Sequence, residues 1–176
     1  LYASPGKRTQ LTAKALEQQA EFAAYLARCA LGGHGGNCAS PDAADRRFAH
    51  PGWQKQPFHA YQQAFLLAQD WWDAATTDVR GVSKANEKAV NFAARQVLDT
   101  VSPANFLPTN PEILQRTIEE KGANLLRGAR NFAEDAQAAL NNTPTAPETD
   151  LKVGDTLAAT PGKVVFRNRL IELIQY

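Results

Sequence analysis

The spacing of hydrophobic residues along the chain predicts a mainly helical protein. Residues 9–31 are rich in Ala, Leu, Gln, Lys and Glu and contain neither Gly nor Pro, so they predict one long helix. Its apolar positions recur at helical spacing: Leu16, Ala20, Ala23, Ala27 and Leu31. Because most of these side chains are alanine, packing them removes little area from water, and this helix is expected to dock weakly.

A glycine cluster follows the first helix, in the sequence Gly32-Gly33-His34-Gly35-Gly36-Asn37. So many glycines make a continuous helix unfavourable, because each one loses a large backbone entropy on folding. The cluster is not preceded by a strand and lacks a closing Lys-Ser/Thr, so it does not resemble a phosphate-binding loop. We expect residues 1–40 to form a mobile long helix with a Gly-rich linker.

The most strongly amphipathic segment begins at Phe58. Its apolar residues recur at steps of three and four: Tyr61, Ala64, Phe65, Ala68, Trp71, Trp72 and Ala75. Burial of such aromatic side chains contributes more than the alanine stripe of the first helix, so the core is expected to be organised around this segment.

The Trp71-Trp72 pair is a candidate interface. Neighbouring residues on a helix diverge by about 100°, so if one ring enters the core the other lies towards its edge. The second indole could then contact a partner domain, a lipid or a polymer surface, or both rings could be buried against the first helix. Trp72→Ala should cost roughly 3–5 kcal/mol if the ring is in the core, and under about 0.5 kcal/mol if it is exposed.

Three further helices are predicted. One begins after the N-cap Ser83 and ends near Thr100; its apolar face is Val90, Ala93, Val97 and Val101. The next begins at a capping box formed by Thr109 and Glu112, and it ends before Gly122. The last spans about 123–140, and its inward residues are expected to be Leu125, Ala129, Phe132, Ala136 and Leu140. Gly128 lies inside it, which indicates close packing there.

Residues 141–150 have the composition of a linker, and the hydrophobic pattern changes after them. Val164-Val165-Phe166 and the run from Leu170 to Ile174 predict two strands of a hairpin. An isolated hairpin is marginally stable in water, so we expect the rest of its sheet to be missing. The expected organisation is a helical domain over 41–140, a linker over 141–150 and the truncated start of another domain over 151–176.

Composition excludes several classes of protein. The chain has 19 Lys+Arg and 18 Asp+Glu, a net charge of +1, which argues against nucleic-acid binding. No run of about 18 apolar residues predicts a membrane span, and the N-terminus lacks a signal-peptide pattern, so we expect a soluble, non-secreted chain. The chain contains no Met and its last residues are apolar, which indicates a piece of a longer protein.

We find no catalytic, cofactor-binding or metal-binding constellation in the sequence. There is no Gly-x-Ser-x-Gly elbow for a nucleophile. Cys29 and Cys38 are expected to be free thiols, and together with His34 they fall short of the four ligands of a structural zinc site. His50 and His59 are interpreted as surface or capping residues. The adjacent pairs Glu119-Glu120 and Glu134-Asp135 are interpreted as solvated helix faces.

Three segments, in order, resemble the N-terminal region of polyhydroxyalkanoate synthases, the poly(3-hydroxybutyrate) polymerases. The first is Asp45-Arg46-Arg47-Phe48 followed by Trp53, Pro57 and Tyr61. The second is Ser102-Pro103-Ala104-Asn105-Phe106-Leu107-Pro108-Thr109-Asn110-Pro111-Glu112. The third is Val153-Gly154, then Thr160-Pro161-Gly162-Lys163-Val164-Val165-Phe166-Arg167-Asn168 and Glu172-Leu173-Ile174-Gln175-Tyr176. The resemblance covers about residues 45–176.

The resemblance implies a fold and an activity. In that family a helical N-terminal domain precedes an α/β-hydrolase domain, whose Cys on a Gly-x-Cys-x-Gly elbow acts with His and Asp to polymerise (R)-3-hydroxyacyl-CoA. No position here matches that elbow, so none of those catalytic residues is carried over and the fragment is expected to be inactive alone. The predicted hairpin would then begin the α/β-hydrolase sheet of the missing catalytic domain.

The expected function is therefore that of an accessory domain that assists dimerisation, positioning of the catalytic domain and granule contact. The expected partners are the chain's own α/β-hydrolase domain, a second copy of the parent enzyme, and a granule surface or granule-associated protein, in the cytoplasm at the polyester granule. The candidate interface residues are Trp71, Trp72, Leu170, Ile171, Leu173 and Ile174. The alternative is a free-standing, phasin-like granule-binding module. We expect no cofactor, no nucleic acid and no membrane span.

Overall fold

The computed structural model describes residues 4–33, 36–42, 45–141, 151–152, 154–157 and 159–176. Within these ranges the elements are α1 (Pro5–Ala30), α2 (Phe58–Thr76), α3 (Lys84–Thr100), α4 (Pro111–Glu119), α5 (Ala123–Leu140), β1 (Lys163–Arg167) and β2 (Glu172–Gln175). Three short 3-10 helices span Arg46–Phe48, Pro51–Gln54 and Pro103–Asn105. The prediction of a mainly helical chain with a C-terminal hairpin is confirmed.

The chain divides into two compact units, Leu1–Leu126 and Arg127–Tyr176. The helix α1 therefore belongs to the same unit as α2, α3 and α4, and no division between units falls at residue 40. The mobility expected for residues 1–40 stays a prediction. Most of the linker expected at 141–150 lies outside the described residues.

The core of the first unit is built around α2, as its apolar pattern predicts. It consists of Phe48, Trp53, Phe65, Leu66 and Leu98, which come from two 3-10 helices, α2 and α3. Trp53 is fully buried, and its ring meets that of Phe48 edge-on at a centroid distance of 4.9 Å. Edge-to-face geometry of this kind adds to the free energy of burial.

The inward face of α1 differs from the predicted alanine stripe. Leu16 and Leu31 are exposed, whereas Leu11 and Tyr25 are buried. Gln18 also points inward and donates a hydrogen bond to the backbone carbonyl of Leu67 on α2, at 3.3 Å. The faces of an alanine-rich helix differ little in hydrophobicity. A few specific contacts from Gln18 and Tyr25 therefore decide which side of α1 faces the core.

The predicted inward face of α3 is also wrong. Val90, Val97 and Val101 are all more than half exposed, and the buried residues are Glu87 and Leu98. Burial of the Glu87 carboxylate is tolerated because Oε1 accepts a hydrogen bond from the backbone N–H of Val79 at 2.7 Å. The N-cap prediction is confirmed, since the backbone N–H of Asn86 donates to Ser83 Oγ at 3.3 Å.

The N-cap of α4 lies one residue later than predicted. Asn110 is the cap, and its Oδ1 accepts from the backbone N–H groups of Glu112 at 2.9 Å and Ile113 at 3.3 Å. Thr109 instead donates its hydroxyl to the carbonyl of Pro103 at 2.7 Å. The helix ends before Gly122, as predicted, and Gly122 takes a left-handed φ of 84° there.

The bounds predicted for α5 are confirmed, but its predicted inward face is not. No residue of α5 is buried in the described part of the chain, and Leu125, Phe132 and Leu140 are exposed. A Cβ at Gly128 would meet nothing within 4 Å, so the close packing expected at this glycine is absent. The apolar residues of α5 recur at helical spacing, but none of them is buried in the described structure.

Gly52 is the glycine at which close packing does occur. A Cβ added there would lie 2.6 Å from Pro111 Cβ and 2.8 Å from His50 Nδ1.

Gly52→Ala is therefore expected to lower the free energy of unfolding by about 1–3 kcal/mol through overpacking. Urea denaturation followed by circular dichroism measures this, with Gly6→Ala as the control. A Cβ at Gly6 has open space, so the control should change by less than about 0.5 kcal/mol; equal effects would contradict the prediction.

The strands β1 and β2 form an antiparallel hairpin, with Val164 opposite Ile174 and Phe166 opposite Leu173. The register shifts between Val164 and Phe166, where β1 has one extra residue. The second strand is shorter than predicted because Leu170 and Ile171 lie in the turn. The side chain of Asn168 holds them there, as its Oδ1 accepts from their backbone N–H groups at 2.7 Å and 2.9 Å.

In the ranges that the structure describes, none of the helices combines the length and the apolar character that crossing a membrane requires.

Candidate interaction surface

An open apolar groove lies between α1 and α2. Its volume is about 370 Å³. The lining residues are Ala15, Gln18, Gln19 and Phe22 on α1, and Ala64, Leu67, Ala68, Trp71 and Trp72 on α2. The small alanine side chains let the two helices approach without filling the space between them. Most of the groove surface is therefore carbon, and its polar groups include the two glutamine amides and the indole N–H of Trp72.

The Trp71-Trp72 pair divides as the helix geometry predicts. Trp71 is partly buried against α1, and its Nε1 donates to the backbone carbonyl of Leu11 at 3.1 Å. Trp72 is 44% exposed, and its ring meets that of Trp71 edge-on at a centroid distance of 5.5 Å. The alternative in which both rings are buried against the first helix is wrong, and Trp72 is the indole that faces solvent at the groove.

Polar contacts that include Gln18 of the groove also join α1 to α2. Asp70 Oδ2 accepts from Gln18 Nε2 at 2.8 Å and forms an ion pair with Lys14 Nζ at 2.7 Å. The side chains of Lys14 and Asp70 are about one third and one half exposed. Exposed ion pairs of this kind contribute little free energy, so their role is to fix the relative position of the two helices.

His59 is the largest departure from the predicted site. The sequence suggested a surface or capping role, which is correct for His50 and wrong for His59. His50 Nδ1 accepts from the backbone N–H of Gly52 at 3.1 Å. His59 is only 8% exposed, and it lies on α2 against Tyr25 of α1. Sequence reasoning missed it because its partners are distant along the chain.

The ring of His59 is part of a chain of hydrogen bonds. Its Nδ1 lies 2.8 Å from the hydroxyl of Tyr25, and its Nε2 lies 3.1 Å from Asn37 Oδ1. Gln56 Nε2 donates to the Tyr25 hydroxyl at 2.5 Å and to Cys29 Sγ at 3.3 Å. Gln56 precedes Pro57 through a cis peptide bond. The chain therefore joins α1, the loop that contains Asn37, and the start of α2.

Burial also shifts the pKa values in this region. It lowers the pKa of His59 below its ordinary value and raises the pKa of the Tyr25 hydroxyl. It raises the pKa of the Cys38 thiol as well. At neutral pH all three groups are therefore uncharged. Cys29 and Cys38 are free thiols, and the raised pKa of Cys38 disfavours the nucleophilic thiolate.

Gln63 holds the same loop on α2. It is fully buried, and its Oε1 accepts from the backbone N–H groups of Cys38 at 2.7 Å and Ala39 at 2.9 Å. One signal for this role is visible in the sequence: two adjacent glutamines, Gln62 and Gln63, lie within a largely apolar segment. Buried polar side chains at such positions need partners, and here the loop backbone supplies them for Oε1, whereas the buried Nε2 has no hydrogen-bond partner among the described residues.

An ion triad joins the segment Asp45-Arg46-Arg47-Phe48 to α3. Arg47 binds Asp45 with two nitrogens, Nε at 2.9 Å from Oδ1 and a terminal nitrogen at 2.7 Å from Oδ2. Its other terminal nitrogen donates to Asp99 Oδ1 of α3 at 2.7 Å. The guanidinium also lies 5.5 Å from the ring centre of Phe65. The hydrogen bonds with Arg47 lower the pKa of Asp45.

The remaining candidate interface residues lie in the second unit, on the hairpin. Leu173 and Ile174 are adjacent on β2 and so point to opposite faces, and they are 55% and 44% exposed. Leu170 and Ile171 are exposed in the turn. Arg167 Nε pairs with Glu172 Oε1 at 2.6 Å where the turn closes. Both faces of the hairpin thus present apolar side chains to solvent.

Groups with the composition of a metal site do not occur among the residues described here: no three His, Cys, Asp or Glu side chains converge. What the geometry offers is contact surface, namely the α1–α2 groove, the exposed faces of α3 and α5, and the hairpin. Exposed apolar area of this extent is typical of surfaces that bind other molecules.

The sequence profile of the family described as the N-terminus of poly-beta-hydroxybutyrate polymerase (PhaC) matches residues 44–176. The chain belongs to this family. The resemblance noted in three segments is thereby confirmed. The matched range includes the ion triad, the core around Trp53, the Asn110 cap and the hairpin. The residues before 44, which include α1 and its half of the groove, lie outside the match.

Several curated relatives are similar over the same region. The poly(3-hydroxyalkanoate) polymerase of Methylorubrum extorquens is 41% identical over 140 residues, which are 77% of this chain and 23% of the relative. Poly(3-hydroxyalkanoate) polymerase subunit PhaC of Cupriavidus necator is 37% identical over 136 residues, 75% of this chain and 22% of the relative. The corresponding subunit of Rhizobium meliloti is 34% identical over 138 residues, which are 75% of this chain and 22% of the relative.

The chain therefore spans just under a quarter of the length of these relatives. No solved structure matches its fold.

Proposed function

We propose that this chain is the accessory N-terminal domain of a polyhydroxyalkanoate synthase, an acyltransferase that polymerises (R)-3-hydroxyacyl-CoA into polyester with release of CoA. The domain positions the catalytic α/β-hydrolase domain, assists dimerisation and contacts the polyester granule in the cytoplasm. It performs no acyl transfer by itself. Family membership supports the link to the synthase, and the exposed surfaces support the role in contacts.

The observation that carries the proposal is the hairpin. Val164, Phe166, Leu173 and Ile174 are about half exposed, and they occupy both faces of the two strands. Strands with apolar side chains on both faces are typical of sheets covered by helices on both sides, as in α/β proteins. A catalytic α/β domain that continues this sheet would cover these side chains.

The exposed helix faces support the other two roles. Val90, Val97 and Val101 form an apolar stripe along α3, which suits contact with a second polymerase copy. The groove beside Trp72 suits an apolar surface such as polyester or a granule-associated protein, because its indole presents a broad apolar ring with one polar N–H. A free-standing phasin-like module would also use the groove, but it would leave the apolar hairpin without a partner.

The test is a chimera in which this chain replaces the matching segment of the Methylorubrum extorquens polymerase. We expect the chimera to release CoA from 3-hydroxybutyryl-CoA, and the 176-residue chain alone to release none. Leu173→Asp in the chimera should lower the rate by about tenfold or more, because it places a carboxylate in the covered apolar face.

The matched control is Arg169→Asp, a charge change in the turn of the same hairpin, which should leave the rate unchanged. Size-exclusion chromatography of each variant separates lost activity from lost folding. Turnover by the chain alone, or equal rates for the folded Leu173→Asp chimera and the unaltered one, would refute the proposal.

A further inference from the structure

The hydrogen-bond chain at His59 has one consistent arrangement of protons. Asn37 Oδ1 can only accept, so the His59 Nε2 that lies 3.1 Å away carries the proton. Nδ1 is then the acceptor, and the Tyr25 hydroxyl donates to it over 2.8 Å. That hydroxyl in turn accepts from Gln56 Nε2. Donation therefore runs from Gln56 to Tyr25, then to His59, then to Asn37. Hydrogen bonds that all donate in the same direction strengthen one another.

Protonation of the imidazole would break this arrangement. A proton on Nδ1 turns that nitrogen into a donor, and it would face the Tyr25 hydroxyl, whose own proton points at the same nitrogen. Tyr25 is fully buried and already accepts from Gln56. Its hydroxyl proton would therefore have to turn away, and its oxygen would have to accept from both Gln56 and Nδ1–H. The donor order that joins α1 to α2 would be broken, and a buried imidazolium would be left with only neutral hydrogen-bond partners.

Within the described part of the chain, the ring nitrogens of His59 face the Tyr25 hydroxyl and the Asn37 amide, and no carboxylate bonds to either nitrogen. The titratable group that contacts the ring is Tyr25 of α1, whose pKa is raised by burial. The thiols of Cys29 and Cys38 lie near the Tyr25 hydroxyl. On α2 and the turn before it, the neighbours are the amide of Gln56 and the backbone carbonyl of Lys55, which accepts from His59 N–H at 2.9 Å. The charged Glu21 and Arg28 of α1 act on Cys38. Burial is the cause of the lowered pKa of His59.

We propose that His59 is a proton-sensitive latch that holds residues 22–30 of α1 on α2 while its imidazole is neutral and releases them when it is protonated. These residues include Phe22, which lines the groove and stacks on Tyr25 with ring centres 5.8 Å apart. Release therefore removes part of one wall of the groove. The ion pair of Lys14 with Asp70 and the bond from Trp71 to Leu11 lie nearer the start of α1 and keep that end attached. The latch goes beyond the proposed polymerase role and does not depend on it.

The sign of the pH dependence follows from the direction of the pKa shift. The folded form holds His59 at a pKa below that of the free side chain, so it binds this proton less readily than the released form. The latch is fully closed above the free pKa and weakens as the pH falls towards the folded pKa. Between the two values, the released population should rise by up to about tenfold for each pH unit.

The test uses the 176-residue chain, which has three histidines. His34→Gln with His50→Asn leaves His59 as the one titrating imidazole, and asparagine keeps an acceptor near the position of the capping nitrogen at residue 50. Nitrogen-15 NMR of the imidazole should show the Nε2–H tautomer and a pKa below that of a free histidine. Hydrogen-exchange protection factors of residues 22–30 should fall between pH 7 and pH 5 as the released population rises, whereas those of α3 should not.

The matched variant His59→Gln supplies an amide donor and acceptor that do not titrate. Protection of residues 22–30 in this variant should be independent of pH over the same interval, whatever its absolute value. The Nδ1–H tautomer, constant protection in the His59 protein, or an equal loss of protection in His59→Gln would each overturn the proposal.

Discussion

Replacing Trp53 with alanine is expected to lower the free energy of unfolding of the first unit by about 3–5 kcal/mol. The indole is fully buried and packs edge-on against Phe48 and Phe58, with ring centres 4.9 Å and 6.5 Å away. Its removal leaves a cavity among rings held by different segments, which cannot all move in to fill it. Urea denaturation followed by circular dichroism gives the change in the midpoint.

The control for this prediction is the same substitution at Trp72, which is 44% exposed. Its ring touches Trp71 but fills no enclosed space, so Trp72→Ala should cost less than about 0.5 kcal/mol. The comparison removes the effect of indole size and leaves only the difference in burial. Equal losses at the two positions would show that the core is not centred on Trp53.

Arg47→Met is expected to cost about 2–3 kcal/mol, between the values for buried and exposed ion pairs. It removes the two-nitrogen contact to Asp45 and the bond to Asp99, and it leaves a carboxylate that is only 15% exposed without its cation. Methionine keeps much of the aliphatic volume beside Phe65, so the loss reports mainly on charge. Thermal and urea denaturation measure it.

Two comparisons make this prediction specific. Arg130→Met breaks the exposed pair with Glu134, whose side chains are 79% and 58% exposed, and should cost no more than about 0.5 kcal/mol. Because Arg47 lowers the pKa of Asp45, the stability from this pair is present above the ordinary carboxyl pKa and is lost as the pH falls through the folded value. Arg47→Met should remove that part of the acid dependence, and an unchanged acid profile would argue against the triad.

The positions of the helices and the hairpin could be predicted because they depend on local signals. Helix formers, the Ser83 cap, Pro111 at a helix start and the branched runs at 164–166 and 170–174 act over a few residues. The family resemblance likewise rested on continuous segments. These signals give the bounds of elements to within a few residues.

The sides that the helices turn inward could not be predicted in the same way. In α3 the valines at 90, 97 and 101 have the right period, but Glu87 is buried because the Val79 backbone lies within reach of its carboxylate. In α1, Tyr25 is buried because His59 and Gln56, more than thirty residues later, satisfy its hydroxyl. Such pairings arise only when distant segments meet. The spacing of apolar residues within one helix therefore cannot predict them.

The placement of the core residues has a consequence for synthesis on the ribosome. Phe48, Trp53, Phe65, Leu66 and Leu98 all lie in the first hundred residues, and α1 precedes them, so the whole cluster leaves the exit tunnel before the hairpin. At roughly 5–20 residues per second, translation of the intervening segment takes seconds, far longer than a small helical unit needs to fold. The residues of this core can therefore pack together while the hairpin is still being translated.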